Sequence, residues 1–351
     1  MNSKVTVFQF YSILILTRLL TTLTYIPEYT ENITASDKMI LTLFCIIFGT
    51  LIYIPVYILN KKYGGENQKT FGTFNKIKAV IFSIVFFYFS VSTVSRLDLF
   101  AGTVVFPETD AKFLLLLVVI FCCYSAYLGI EPIARSAVIF IAPILLSLSF
   151  IFFALWKKTD LLNLTPPFYN GVLPVVKASL NSTGRTVEYA VIAALFPFVT
   201  GNHKKGFLVW RISQSVITAI VFFFEGTILG AFSDAQLFPV YAIASMARFS
   251  FFRGLGAIIT GLWIICAFLK TSLLIFLQAK LISEAFEVNK ITVIAVTGVL
   301  LALVCMLISG SVERFNIIDT SSVKFVLILI SVPILAIVEL IMRRRRKCAK
   351  Q

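Results

Sequence analysis

The sequence predicts an all-α integral membrane protein of about ten transmembrane helices, arranged as two inverted halves of five. Three observations predict it. Of the 351 residues, 59% are apolar and only 14% charged, with a mean hydropathy of +0.94. An ordinary soluble chain is about one quarter charged, and a soluble domain of this length has no core large enough to hide so much apolar surface. Apolar runs of crossing length, roughly 20 residues each, recur from end to end. Finally, the first and sixth runs, each the first of a group of five, carry polar, helix-weakening centres at corresponding places, the mark of an inverted repeat with a site between its halves. These features exclude a soluble enzyme, a nucleic-acid-binding domain and a disordered scaffold.

The ten runs cover residues 8–26, 39–59, 77–101, 112–128, 133–156, 171–199, 209–233, 254–283, 290–309 and 323–342. They divide into a first five-helix repeat (8–156), a second (171–342) and a basic cytoplasmic tail (343–351). Helices are expected because the polar/apolar alternation of a membrane barrel strand is absent, and a helix satisfies every backbone N–H within its own segment. The first run is expected to be retained as a span. Only one lysine precedes it, and no small-residue cleavage site follows.

Charge sets the orientation. With both termini cytoplasmic, the inner side carries 18 of the 31 Lys and Arg residues against four acids, and the outer side carries ten against nine. Almost all of the +14 excess therefore lies on one face, as the positive-inside rule requires. The charge reflects topology and an affinity for anionic membrane lipids at 343–347, not for nucleic acid. Cys45, Cys122, Cys123, Cys266 and Cys305 fall inside spans, where cysteine acts as a small apolar residue. His203 is the one histidine, beside Lys204 and Lys205, so no metal site is expected. A phosphate-cradling Gly-rich loop and a catalytic triad are missing too, and the expectation is a protein that is not an enzyme and carries no cofactor.

The sixth run is longer than a bilayer needs, and its middle reads Asn181-Ser182-Thr183-Gly184-Arg185-Thr186-Val187-Glu188. Such residues are expensive in a continuous lipid-facing helix. They suit a helix broken near 182–186, whose two halves present free carbonyls and N–H groups to a protein-lined cavity at mid-depth. The other reading is a long outer loop over 161–186 that carries a short amphipathic helix, with the span beginning at Val187.

The first run places Thr17, Arg18, Thr21, Thr22 and Thr24 in an apolar context, and a break is expected there too. Arg18 needs a partner or a ligand at that depth, and on helical spacing it shares a face with Thr21 and Thr22. The third run adds Arg96 and Asp98, which point in different directions and so do not simply pair. Glu188 and Glu225 are the acids available to balance Arg18 or Lys270. The candidate ligand-binding residues are thus Thr17, Arg18, Thr21, Thr22, Ser182, Thr183, Gly184, Arg185 and Glu188, with Arg96, Asp98, Glu225 and Lys270 as supporting buried charges. For the charged members, including Glu339, ion pairs that only hold the bundle together stay open as the alternative.

The stretch Tyr124-Ser125-Ala126-Tyr127-Leu128-Gly129-Ile130-Glu131-Pro132-Ile133-Ala134-Arg135 resembles the signature between spans four and five of the spore germination receptor B subunits. Gly184 to Glu188 with Leu195-Phe196-Pro197-Phe198 is similar to that family's sixth span. Phe238-Pro239-Val240-Tyr241, Arg248, the apolar run around Trp263 and Phe268-Leu269-Lys270 are similar to its region from the seventh to the eighth span. In order and spacing the resemblance covers nearly the whole chain. It implies the amino acid–polyamine–organocation superfamily and the five-plus-five inverted repeat of LeuT-type transporters. It also implies a role in sensing small-molecule nutrients, commonly amino acids, at the inner membrane of a bacterial spore, together with a larger A subunit and a lipoprotein C subunit. Relatives usually carry glycines in the middle of the first span, where this chain has Thr17-Arg18-Leu19-Leu20-Thr21-Thr22.

Three functional readings stand side by side. The leading one is a receptor subunit that captures a nutrient between spans one and six and passes a conformational shift to its partners. The same architecture also suits a proton-coupled secondary transporter of amino acids or related small cations, because fold alone does not separate sensing from transport. The missing glycines suit a structural subunit of the receptor complex that no longer binds a ligand.

Overall fold

Hydrocarbon offers a backbone polar group no partner except its own helix, so a chain of apolar runs condenses into packed helices. A computed structural model describes residues 5–23, 33–63, 72–105, 111–249, 252–253 and 255–348, and they are helical almost throughout. The first half contains α1 (Val7–Leu23), α2 (Ala35–Tyr63), α3 (Gly72–Phe100, extended by a π-helical turn at Ala101–Val105), α4 (Ala111–Leu128) and α5 (Ile130–Leu155). The second contains α6 (Val172–Gly184), α7 (Glu188–Leu195), α8 (His203–Leu229), α9 (Pro239–Met246), α10 (Gly256–Phe286) and α11 (Lys290–Ile308). It closes with α12 (Val312–Ile318), α13 (Ser321–Leu329) and α14 (Leu335–Cys348), the last two joined by a π-helical turn, Ile330–Ile334, that contains Pro333.

Seven helical stretches among the described residues are long and apolar enough to cross a membrane: α2, α3, α5, α8, α10, α11 and the stack from α12 into α14. α1 and α4 are shorter apolar helices, and the sixth run is divided between α6 and α7. The 343–348 part of the expected tail continues α14 as helix, and Arg343 is buried against Glu339.

Among the described residues the first run shows no break where one is expected. α1 continues through Thr17–Thr22 to Leu23 without interruption, and Thr24 lies outside the described residues. The run contains neither Gly nor Pro, and its hydroxyls are satisfied without unwinding. Ser12 Oγ donates to the Phe8 carbonyl (2.8 Å), Thr17 Oγ1 to Leu14 (3.3 Å) and Thr22 Oγ1 to Arg18 (3.5 Å). Such back-bonding lets a helix carry hydroxyls through an apolar medium.

α10 is the central post. Of its most apolar stretch 67% is buried, against 22% for α5, and it packs along α3, α1, α4 and α11. α2 lies against α8 and α6, α6 against α13, and α1 against α5 and α8. The outer helix faces expose Phe113, Ile120, Leu146 and Leu307; a contiguous apolar exterior of this kind is a lipid-facing surface. A short parallel pairing of Val5–Thr6 with Val199–Thr200 ties the start of α1 to the segment after α7. The two expected site-bearing runs are thereby held side by side.

Candidate functional site

The sixth run breaks where its polar residues predicted. α6 stops at Gly184, Arg185–Val187 form a turn, and α7 starts at Glu188. The freed carbonyls find local donors. Thr183 Oγ1 donates to Ser179 (2.8 Å), Thr186 Oγ1 to Ser182 (3.2 Å), and Arg185 N–H to Asn181 (3.2 Å). Gly184 is required by packing, since a Cβ there would lie 2.6 Å from the Phe325 Cα of α13. α6 packs on α2 and α13 with Ser179, Thr183 and Gly184 buried.

Two acids organise the charges around this break. Glu188, fully buried in the first turn of α7, accepts from Lys270 Nζ of α10 at 3.2 Å. The same ammonium donates to the Thr17 carbonyl (3.3 Å) and to Thr21 Oγ1 (3.2 Å) of α1. Glu188 Oε2 has no hydrogen-bond partner among the described residues. Asp319, at the turn between α12 and α13, is buried and takes bonds from three helices. Arg96 Nη2 of α3 approaches at 2.5 Å, Arg185 Nη1 at 3.2 Å, Ser92 Oγ at 2.5 Å, and Lys324 Nζ of α13 in close contact. Arg185 also donates to the Asp319 carbonyl and to Ser321 Oγ, both at 2.9 Å.

Arg18 Nη2 donates to the carbonyl and hydroxyl of Ser182, each at 3.3 Å, so the guanidinium of α1 caps the opened end of α6. Its Nε and Nη1 are buried without a partner among the described residues. Between α1, α3, the α6–α7 break, α10 and α13 lies a small cavity lined by Leu20, Thr21, Phe89, Ser92 and Thr93 and by the cations Arg96, Arg185, Lys270 and Lys324.

Of the residues expected at a site, Thr17, Arg18, Thr21, Ser182, Arg185, Glu188, Arg96 and Lys270 meet in or around this chamber. Thr22 turns toward α8, where it bonds Thr218 and Gln214. Thr183 and Gly184 serve the packing of α6. Asp98 faces the α4 side, lining a separate apolar cavity with Leu97, Phe100 and Ile264. Glu225 balances neither Arg18 nor Lys270; it accepts from Ser233 Oγ (2.9 Å), which in turn accepts from Lys38. Glu339 holds Lys78 (2.8 Å) and Arg343 (2.8 Å) at another cavity.

Sequence reasoning missed Asp319, Lys324 and Arg211 as members of the buried charge network. Arg211 is buried, donates to the Cys45 carbonyl, and lies over the ring of Tyr189, 5.7 Å from its centroid. No local signal marks Asp319, which lies in a short link between apolar runs.

A family profile described as "Spore germination protein" matches residues 4–314 of the chain. "Spore germination protein XB" of Bacillus anthracis is 24% identical over 279 residues, covering 73% of this chain and 75% of that protein. Two solved transporters share the fold. A Na+-coupled sialic acid symporter, in a substrate-bound outward-open state, superposes with a TM-score of 0.58 at 15% identity, covering 92% of this chain and 78% of the symporter. MhsT in complex with L-phenylalanine superposes with a TM-score of 0.60 at 15% identity, covering 94% and 87%. These neighbours are transporters of the LeuT-type fold.

Proposed function

The chain belongs to the spore germination protein family, and from that premise we propose that it is the membrane subunit of a nutrient germinant receptor. A small nutrient, an amino acid in the simplest case, enters the chamber at the α6–α7 break. It shifts the bundle between two packings, and the shift reaches a receptor A subunit and a lipoprotein C subunit. A ligand drives such a shift only through better binding to one packing than to the other. The carrying observation is the buried polar chamber itself, in which groups of α1, α3, α7, α10 and α13 face a broken helix. Sites of this make-up hold small ligands in transporter folds, and the fold is shared with a protein solved in complex with L-phenylalanine. In the same reading the ten runs are crossings of two inverted halves, 8–156 and 171–342. Both termini lie in the cytoplasm and the chain in the spore inner membrane, as the one-sided distribution of Lys and Arg supports.

The test is germination of spores carrying Arg18→Ala or Glu188→Ala at matched protein abundance. The nutrient concentration giving half-maximal germination rises if these groups serve the chamber. An unchanged concentration dependence removes them from it.

A second reading, proton-coupled transport, is favoured by one observation: Glu188 Oε2 is buried with no hydrogen-bond partner among the described residues, beside the Lys270 ammonium. Uptake of labelled amino acids into reconstituted vesicles separates the two. Flux that follows an imposed pH gradient favours transport, and binding without flux favours sensing.

A further inference from the structure

Away from the chamber, a second cavity lies between the end of α2, the start of α3, α7 and α14, and the Lys78–Glu339–Arg343 cluster sits in it. Its lining changes character with depth on three helices at once. On α2 the polar Asn60 is followed one turn deeper by Val56, on α3 Lys78 by Phe82, and on α14 Glu339 by Leu335. Residues four apart share a helix face. The polar groups therefore form one tier and the apolar side chains a second tier beneath it.

The same three helix ends carry exposed basic residues: Lys61 and Lys62 on α2, Lys76 on α3, and Arg344 and Arg345 on α14. This is the end of the bundle that the distribution of Lys and Arg assigns to the cytoplasmic leaflet. Glu339 does not reserve the cavity for a cation. Its Oε1 accepts from Arg343 Nε (3.0 Å) and Nη2 (2.8 Å), and its Oε2 from Lys78 Nζ (2.8 Å). An ammonium has three N–H groups. Lys78 spends one on Glu339, and a quarter of its side chain stays exposed.

An ammonium donor above an apolar tier matches an amphiphile with a negative head. The phosphate meets Lys78, and the first methylenes of the acyl chains run along Val56, Phe82 and Leu335. Basic pockets between helices at the cytoplasmic leaflet take such headgroups. We infer that this cavity binds an anionic phospholipid of the cytoplasmic leaflet. Ala193 of α7 also lines it, so the lipid touches the short helix that carries Glu188 at the chamber. The site depends only on the membrane orientation, and it stands whether or not the chamber takes a nutrient.

The experiment uses the purified full chain in neutral detergent, stripped of lipid, with thiol-dye reaction on heating as the binding readout. The probes are dihexanoyl phosphatidylglycerol, dihexanoyl phosphatidylcholine and inorganic phosphate. Phosphatidylglycerol is expected to raise the unfolding midpoint in a saturable way, and the other two to bind more weakly by about tenfold or more.

Two substitutions locate the site. Lys78→Met keeps the unbranched stem, leaves Glu339 with Arg343, and should weaken phosphatidylglycerol about fivefold, the worth of one basic residue at an anionic headgroup. Ala336→Leu fills the lower tier and should weaken it by a similar factor. Equal stabilisation by phosphatidylcholine overturns the anionic class. Inorganic phosphate acting as strongly as phosphatidylglycerol overturns the lipid assignment in favour of a free phosphate. Phosphatidylglycerol binding that ignores both substitutions overturns the site, because the lipid then sits elsewhere on the bundle. The absence of any shift overturns it as well, and leaves the germination test of the chamber untouched.

Discussion

Asp319 is the place where one atom group holds the most. Its carboxylate is buried and accepts from Arg96 (2.5 Å), Arg185 (3.2 Å), Ser92 (2.5 Å) and Lys324. It thereby joins α3, the α6–α7 break and α13. Asp319→Ala removes the acceptor and the charge together. Breaking a single buried ion pair costs about 3–5 kcal/mol, because the surviving charge is left without compensation. Here three cations lose their counter-ion, although Arg185 keeps the Asp319 backbone carbonyl and Ser321. The expected loss is therefore about 5 kcal/mol, and Asp319→Asn, which keeps an acceptor, loses about 3 kcal/mol. In thermal terms the alanine variant should melt on the order of 10 °C lower. The assay is the reaction of a thiol-specific dye on heating, since Cys45, Cys122, Cys266 and Cys305 are buried and react only as the bundle opens. Adding Arg96→Met to Asp319→Ala should restore part of the loss, a non-additivity that marks a shared network. A melting point within about 2 °C of the native protein would refute the view that Asp319 joins these helices electrostatically.

At Gly184, substitution by Ala drives a methyl to 2.6 Å from the Phe325 Cα; overpacking of this kind costs about 1–3 kcal/mol, and the purified variant should melt correspondingly lower. At the Glu339 cluster, removal of the partly exposed Lys78 should cost under about 1 kcal/mol, whereas Glu339→Ala strands the buried Arg343 and should cost about 2–3 kcal/mol. Equal losses in a denaturation comparison would contradict that ordering. Arg135→Ala breaks only a surface pair with Glu131, both side chains at least half exposed, so the melting point should stay unchanged within error.

Much of the architecture is legible without coordinates because it is local. A run of apolar residues long enough to cross a bilayer declares itself by composition. So does the interruption at Asn181–Glu188, where Gly184 and Arg185 leave α6 no way to continue into α7. Thr17–Thr22 looked like a second interruption and is not one. A threonine is compatible with either outcome, since its hydroxyl bonds a free carbonyl at a break or the carbonyl three or four residues back in an intact helix. In α1 the second took place, as Thr17 and Thr22 show.

The burial of Arg18, Arg185, Glu188 and Lys270 was set by the apolar sequence around them; who answers each charge was not. Asp319 sits in a short link between apolar runs and reads there as one solvated acid among several. Only the folding of α12 and α13 against α3 and α6 brings it under Arg96 and Arg185. That pairing joins residues 223 and 134 positions apart. A bilayer's demand for satisfied backbone acts within a segment and leaves its trace in order along the chain. The Coulomb attraction that chooses partners acts through space, and the distances that decide it exist only once the helices have packed.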